Sequence, residues 1–278
     1  MPTADEVRQQ IRDSLGLPSK QEPVPTVPQE GHAAEFPYYS FSKKRSSVTR
    51  LHITYADSSF MTLIAPLGMP SPSWAGYLDC VLFYGQRDLF VREYAEISVY
   101  QIFKTLGVDP GSGQAYKNFR GDMERAFAAF VKTDRFRNPQ TGQRDYISYF
   151  RIISKMTLAK RHQGISQFFF DPVFLASLRA GYLARLDWDF CLHLDRQGQA
   201  LARFLYGHVT KRLGAKSCYT RDLVGFLSDV GLGYLAVLPP KNRNQNIKTT
   251  VYPALDAIKG HAFSDWHLDG KDFLFFIR

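Results

Sequence analysis

The sequence predicts an α+β fold of two tandem domains, and three observations predict it. One order of elements occurs twice: shorter helices, a longer helix with a polar face, then a ribbon of patterned strands. The longer helices centre on residues 111–131 (GSGQAYKNFRGDMERAFAAFV) and 242–260 (NRNQNIKTTVYPALDAIKG). The chain is also basic, with 35 Lys and Arg against 26 Asp and Glu. A helix that buries one stripe and presents Lys, Arg, Asn and Gln on the other, beside a basic hairpin, is the layout of a winged-helix DNA-binding domain.

A chain of 278 residues that is 45% apolar and 14% aromatic can build one large core or two of ordinary size. The charge is uneven. Residues 1–35 carry three basic and six acidic side chains, so the rest of the chain holds a net +12 against an overall +9. A folded body of that charge attracts polyanions, although a solvated basic surface would account for the charge alone. Cys80, Cys191 and Cys218 are far apart, with no C-x-x-C pair, and read as core thiols in a reducing compartment. The N-terminus is acidic and polar, unlike a signal peptide, and no apolar run reaches membrane-spanning length. Together these predict a cytoplasmic protein without a membrane partner.

Taken in order, residues 2–17 could form a short helix through Val7, Ile11 and Leu15. Residues 18–37 contain Pro18, Pro23, Pro25, Pro28 and Pro37 and predict a flexible tether. The SKKRSS stretch at 42–47 is either solvated linker or a phosphate-touching arm. Residues 50–65 predict one or two strands and 71–86 a helix capped at Ser71 or Ser73. Residues 97–107 predict a short strand, then a helix buried through Val99, Ile102, Phe103 and Leu106 and stopped at Gly107.

The first long helix follows, over 113–130. Tyr116, Phe119, Met123, Ala126 or Phe127, and Phe130 form its buried stripe, with Lys117, Asn118, Gly121, Asp122 and Arg125 on the wet side. Gly121 inside it costs about 1 kcal/mol against Ala, which fits the close approach of a ligand. Strands at 131–136 and 145–156, joined by RNPQTGQR (137–144), form the expected wing. Residues 157–166 read as a basic loop, and 167–184 as a strand and a short helix after Pro172. Residues 185–195 alternate through Leu186, Trp188, Phe190, Leu192 and Leu194 and predict a half-buried strand.

The second unit repeats the order. Helices are expected at 196–214, at 218–231 with Thr220 as cap, and at 245–259 with Ile247, Val251, Leu255 and Ile258 inward. Residues 238–246 read as a turn. Pro253 should kink or split the third helix. Residues 263–278 form a hairpin about a tight Asp269-Gly270 turn.

These readings assign residues 1–37 to a flexible tail, 38–184 to a first winged-helix domain and 185–278 to a second. Base reading in the major groove asks for side chains that form paired hydrogen bonds. The first helix offers Ser112, Gln114, Lys117, Asn118 and Arg120, and its wing Arg137 and Arg144. The second helix offers Lys241, Arg243, Asn244, Gln245 and Lys248. Either face alone could be an ordinary solvated surface; the shared layout favours double-stranded DNA.

Enzymatic readings fare worse. GVDPGSGQ (107–114) lacks the Lys and Ser/Thr of a phosphate-binding loop. The nearest approach to a His–hydrophobe–His metal pair is Cys191-Leu192-His193. Asp187 and Asp189 share the polar side of the expected strand, so metal-assisted cleavage by a nickase or nuclease is a weaker reading. Tyr206, Tyr219, Tyr234 and Tyr252 read as core or rim aromatics. No catalytic residue, metal ligand or cofactor is assigned. A winged-helix transcriptional regulator would use the same pattern, and so would a structural module whose wings contact protein.

The segments ISVYQIFKTLG, AYKNFRGDMERAFAAFVKTDR and LDRQGQALARFLYGHVTKRLG with CYTRDLVGFL resemble, in order and hydrophobic texture, the iteron-binding plasmid replication initiators of the TrfA-like type, over roughly residues 50–278. The resemblance implies tandem winged helices that bind repeated sites at a plasmid origin, open it and recruit host helicase and initiator proteins. It further implies a monomer–dimer equilibrium. It places the first DNA-contacting helix after GSGQ and the second at 243–259, supported by the short helices 99–106 and 220–229. Pro253 and the Pro239-Pro240 pair depart from the pattern.

Overall fold

The computed structural model describes residues 26–30, 39, 49–55, 58–89, 91–135, 147–160, 163–179, 183–270 and 272–278. The helix expected over 2–17 lies outside them. The architecture is mixed α+β, with helices packed against small antiparallel sheets.

The chain begins with β1 (Thr26–Glu30), which pairs antiparallel with the distant β9 (Leu183–Asp187). The expected tether therefore contains a strand in its middle. Tyr39 is buried as well, its ring edge-on to Phe204 at 6.4 Å. The prolines of 18–37 discourage helix, but an edge strand accepts Pro28, and among the described residues β1 pairs on one side alone.

β2 (Arg50–Thr54) and β3 (Phe60–Ile64) form a hairpin. It is extended by β5 (Phe130–Thr133) and β6 (Ser148–Phe150) into a four-stranded sheet of order β2-β3-β5-β6. Ile53, Met61, Leu63, Val131 and Phe150 point into the core. Alternation sends His52, Lys132 and Tyr149 to the other face.

The first helical group follows the hairpin. α1 (Ser73–Leu89) buries Trp74, Tyr77, Leu78, Val81 and Leu82. Gly85 allows it to lie on β4 (Tyr94–Ser98), since a Cβ there would fall 2.3 Å from that of Ala95. α2 (Val99–Leu106) starts where the Ser98 hydroxyl accepts from the Gln101 amide and ends at Gly107, with φ 71°. Its buried residues are the expected four. α3 (Gly113–Ala128) is capped by Ser112, whose hydroxyl oxygen accepts from the Ala115 amide. Phe119 of α3 packs against Tyr77 and Phe103, with ring centroids 5.0 and 5.7 Å apart.

The strands after α3 depart from expectation. Residues 145–156 are not one return strand. The chain breaks at Arg151-Ile152, leaving β6 in the four-stranded sheet and placing β7 (Ile153–Thr157) in another. β7 and β8 (Ile165–Phe170) form a hairpin whose second strand pairs with β4, giving a sheet of order β4-β8-β7. The hairpin beside α3 thus turns at 158–164, and the 137–144 segment connects strands of the other sheet. α4 (Pro172–Arg179) follows as expected.

Residues 185–195 are another correction. β9 ends at Asp187, and α5 (Trp188–Arg196) follows. Asp187 accepts from the Phe190 amide, an N-cap that stops the strand and starts the helix. Trp188, Phe190, Cys191, Leu192 and Leu194 are all buried, because α5 is wedged between neighbours. Trp188 stacks on Phe83 of α1 at 4.2 Å, and Arg196 donates to the Thr105 carbonyl.

α6 (Ala200–Leu213) opens the second group. The helix expected over 218–231 is a strand, β10 (Cys218–Asp222), followed by α7 (Leu223–Asp229). Its cap is Asp222, not Thr220, and accepts from the Gly225 amide. Cys218 on β10 is exposed, whereas Cys80 and Cys191 are core thiols as expected. After α8 (Gly233–Ala236), the segment read as a turn is α9 (Pro240–Asn246). It runs through a π-helical turn (Ile247–Val251) into α10 (Tyr252–Ile258). Pro253 neither breaks nor ends this run. The Tyr252 amide reaches back five residues to the Ile247 carbonyl, and the widened turn accommodates a residue with no N–H to give. Ile247, Val251, Leu255 and Ile258 are buried, as their spacing predicts.

β11 (Asp265–Leu268) and β12 (Phe273–Ile277) close the chain in a sheet of order β10-β12-β11. Their connection is longer than a two-residue turn. The Asp269 amide donates to the Phe273 carbonyl, with Asp272 at φ 62°. Phe226 and Phe263 pack on Phe276 beneath this sheet, at 5.6 and 5.2 Å.

Candidate nucleic-acid interface

Each group shares a plan of a helix, a strand, a short helix, a longer helical run and a hairpin, with β5 and β6 inserted before the hairpin in the first and α8 before the long run in the second. In both, the first strand pairs with the last, and the last with the one before it. That common register sets α3 and the α9–α10 run in equivalent places.

On α3, Gln114, Lys117, Asn118 and Arg120 are exposed and Gly121 is half-buried. On the second run, Lys241, Asn244, Gln245 and Lys248 are exposed and Arg243 is half-buried. Positions 114, 117, 118 and 121 repeat the spacing of 241, 244, 245 and 248, one stripe along a helix. The first stripe lies opposite the buried Tyr116, Phe119 and Met123; in the second, the buried Ile247 and Val251 flank the stripe, each three residues on from one of its members.

The Gln114 side-chain amide donates to Asn118 Oδ1 at 2.9 Å. That bond leaves Gln114 Oε1 as an acceptor and Asn118 Nδ2 as a donor on the helix surface. An acceptor beside a donor matches the N6 amine and N7 of adenine in the major groove. A Cβ on Gly121 would meet only the flexible end of Arg125, at 3.3 Å, so the glycine keeps the stripe flat beside Asn118. Ser112 is half-buried, with its hydroxyl oxygen engaged in the cap.

Asp122 is not on the wet side. It is buried and accepts from the Ser71 amide at 2.8 Å and from the Ser71 hydroxyl. Ser71 therefore anchors α3 to the entry of α1 instead of capping α1. Arg125 stays 3.8 Å from the Asp122 carboxylate. Beside α3, Arg151 lies over the Phe127 ring at 5.3 Å, where the chain enters β7.

Arg137 and Arg144 lie outside the described residues, and the strands they connect belong to the four-stranded sheet. Sequence reasoning missed the β7–β8 turn as the hairpin tip of the first group. Lys160 is exposed there. Its signal was available in the basic LAKRHQG stretch at 158–164, followed by the aromatic run of 168–170. In the second group, Lys259 at the end of α10 pairs with Asp265 at 2.7 Å.

Among the described residues, no group of three or more His, Cys, Asp or Glu side chains could hold a metal ion. Among those residues, no helix is long and apolar enough to cross a membrane.

The arrangement defines a class: a mixed α+β protein with two helix-and-hairpin units in series. No protein-family model and no curated protein matches the sequence. Among solved structures, the fold is similar to domains 2 and 3 of RctB. A crystal structure of their selenomethionine derivatives gives a TM-score of 0.57 at 10% identity, covering 90% of this chain and 98% of that one. A second crystal structure of RctB domains 2–3 gives 0.50 at 11% identity, covering 83% and 91%.

Proposed function

We propose that the chain is a tandem winged-helix protein that binds double-stranded DNA in a sequence-specific manner and initiates replication at a plasmid origin carrying repeated sites. The observation that carries this reading is the duplicated arrangement: two sheets of the same strand order, each behind a helix whose stripe carries Gln, Lys and Asn, at three positions in the first and four in the second. The first domain spans 38–184 and the second 185–278. The helical runs 113–128 and 240–258 enter successive major grooves, and the basic 158–164 turn follows the phosphates. Gln114 and Asn118 read bases in the first site, and Asn244, Gln245 and Arg243 in the second. Lys117, Arg120, Lys241 and Lys248 hold phosphates or guanine edges.

The similarity to RctB domains 2 and 3 supports the fold in this reading. The origin-opening role and the recruitment of host helicase and initiator proteins rest on the resemblance to plasmid initiators. A footprint of the purified chain on DNA flanking its gene tests both parts. Protection of direct repeats of about two helical turns each, roughly 21 base pairs, supports the initiator. Protection of a single inverted repeat over a promoter supports a transcriptional regulator instead. No sequence-dependent protection removes the DNA reading.

A further inference from the structure

The outer face of the four-stranded sheet carries a line of side chains that the duplex reading does not use. His52, Thr62, Lys132 and Tyr149 are cross-strand neighbours, one from each strand in the order β2, β3, β5, β6. Phe60 lies beside the line, stacked on His52 with centroids 5.9 Å apart and planes within 28°. The Lys132 ammonium sits over both the Phe60 ring, at 5.7 Å, and the Tyr149 ring, at 5.4 Å. His52 is held by Thr62 Oγ1 at 2.7 Å and Thr54 Oγ1 at 3.1 Å, so its ring orientation is set before anything binds. Tyr149 is 61% exposed. Arg50, on the same face of β2, is exposed too.

The chemistry of this face is specific. Aromatic rings alternate with cations, and the carboxylate at its margin, Asp134, is turned onto the Phe60 amide at 2.8 Å. Flat rings offer π-faces that any unpaired base can cover, and the cations answer the phosphates between bases. A duplex keeps its bases stacked on one another and cannot use the rings. A four-stranded sheet with aromatics on its open face accommodates two or three unstacked bases.

We propose that this face is a binding platform for single-stranded nucleic acid. One base stacks on Tyr149, a second covers the Phe60–His52 pair, and Lys132 and Arg50 hold the phosphates. The platform shares no residue with the duplex-facing helices, so it stands or falls separately from them.

The test uses the full chain and fluorescence anisotropy on labelled twelve-nucleotide oligo-dT and oligo-U, with a scrambled duplex alongside. The wild type is expected to bind at least one oligonucleotide, and the two arms distinguish DNA from RNA as its source. Tyr149→Ala is expected to weaken that binding about five-fold or more, the loss typical of one base–aromatic stack. Tyr149→Phe, which keeps the ring, is expected to retain it. Lys132→Gln is expected to lower the salt slope by about 0.7, as for one phosphate on a single strand. Asn118→Ala should leave oligonucleotide affinity unchanged, so failure of the duplex reading would not be mistaken for failure here. The proposal is overturned if neither oligonucleotide binds, if Tyr149→Ala binds like the wild type, or if it loses duplex and single strand in equal proportion.

Discussion

Arg203 of α6 donates its guanidinium to the Asp79 carboxylate of α1, and both side chains are buried where the two helical groups meet. Burial opposes the charge on Arg203. Asp79, with Asp195 nearby, more than restores it and holds the guanidinium above the ordinary arginine range. The pair ties the first helix of one group to the first helix of the other. Removing one partner strands a charge. Asp79→Asn or Arg203→Met alone should destabilise the fold by about 3–5 kcal/mol, and an Asp79→Leu/Arg203→Met double variant should recover most of that loss. Urea unfolding measures all three; single variants within about 1 kcal/mol of wild type would show a seam that does not depend on the pair.

Asp195 gives the seam a pH dependence. Burial pushes its carboxyl up to about 7; Arg203 draws it down and Asp79 pushes it up again. Its Oδ2 is buried without a hydrogen-bond partner among the described residues. An unfolded Asp titrates near about 3.9. From about pH 4 to about pH 7 the folded chain therefore holds a proton that the unfolded chain has lost, so this group's contribution to stability falls as pH rises across that window and is constant on either side. Unfolding free energies of wild type and Asp195→Asn at about pH 4.5 and about pH 7.5 should diverge, with the wild type losing more. A constant difference between them would assign the pH dependence to other groups.

The Gln114–Asn118 bond predicts that the two side chains act as one reading element. Asn118→Ala should cost about 1–3 kcal/mol on the cognate duplex and little on a scrambled one. Gln114→Ala should cost a similar amount, and the double variant less than the sum of the two. Additive losses in a double-mutant cycle would separate the two residues, and equal losses on both duplexes would remove Asn118 from base reading.

The hairpin tip next to α3 carries Lys160. Lys160→Gln should lower the salt slope of duplex binding by about one. The sequence alone put this role on Arg137 and Arg144. A titration in which their joint neutralisation lowers the slope by about two, and Lys160→Gln leaves it unchanged, would return the phosphate contact to the β5–β6 connection.

Much of this was legible because local signals suffice for some features. Gly107 ends α2, and the Ile247, Val251, Leu255 and Ile258 stripe is buried, both as the spacing predicts. The polar stripes of the two third helices were legible for the same reason. Sheet membership was not. Residues 145–156 look like one strand because hydrophobic alternation continues through Arg151-Ile152, and nothing in a single segment says that its halves pair with different partners. Residues 185–195 misled in another way. Trp188, Phe190, Leu192 and Leu194 stand two apart and mimic a strand, while the exposed Asp189, His193 and Arg196 keep the helical spacing; they and Asp187 as N-cap were the deciding signals. The four-stranded platform was invisible because its line of side chains exists only once four separate segments are in register.

The π-helical turn just before Pro253 sits away from the tip of its helical run, yet it sets where that tip is aimed. The wide turn at Ile247–Val251 holds one residue more than an α-helix would, and each residue corresponds to about 100° of rotation. Lys241, Asn244 and Gln245 are therefore swung round the axis relative to the half that is anchored by Leu255 and Ile258. The polar side chains at the tip and the direction in which they face are encoded at different places in the chain, and evolution could retune the second without rewriting the first.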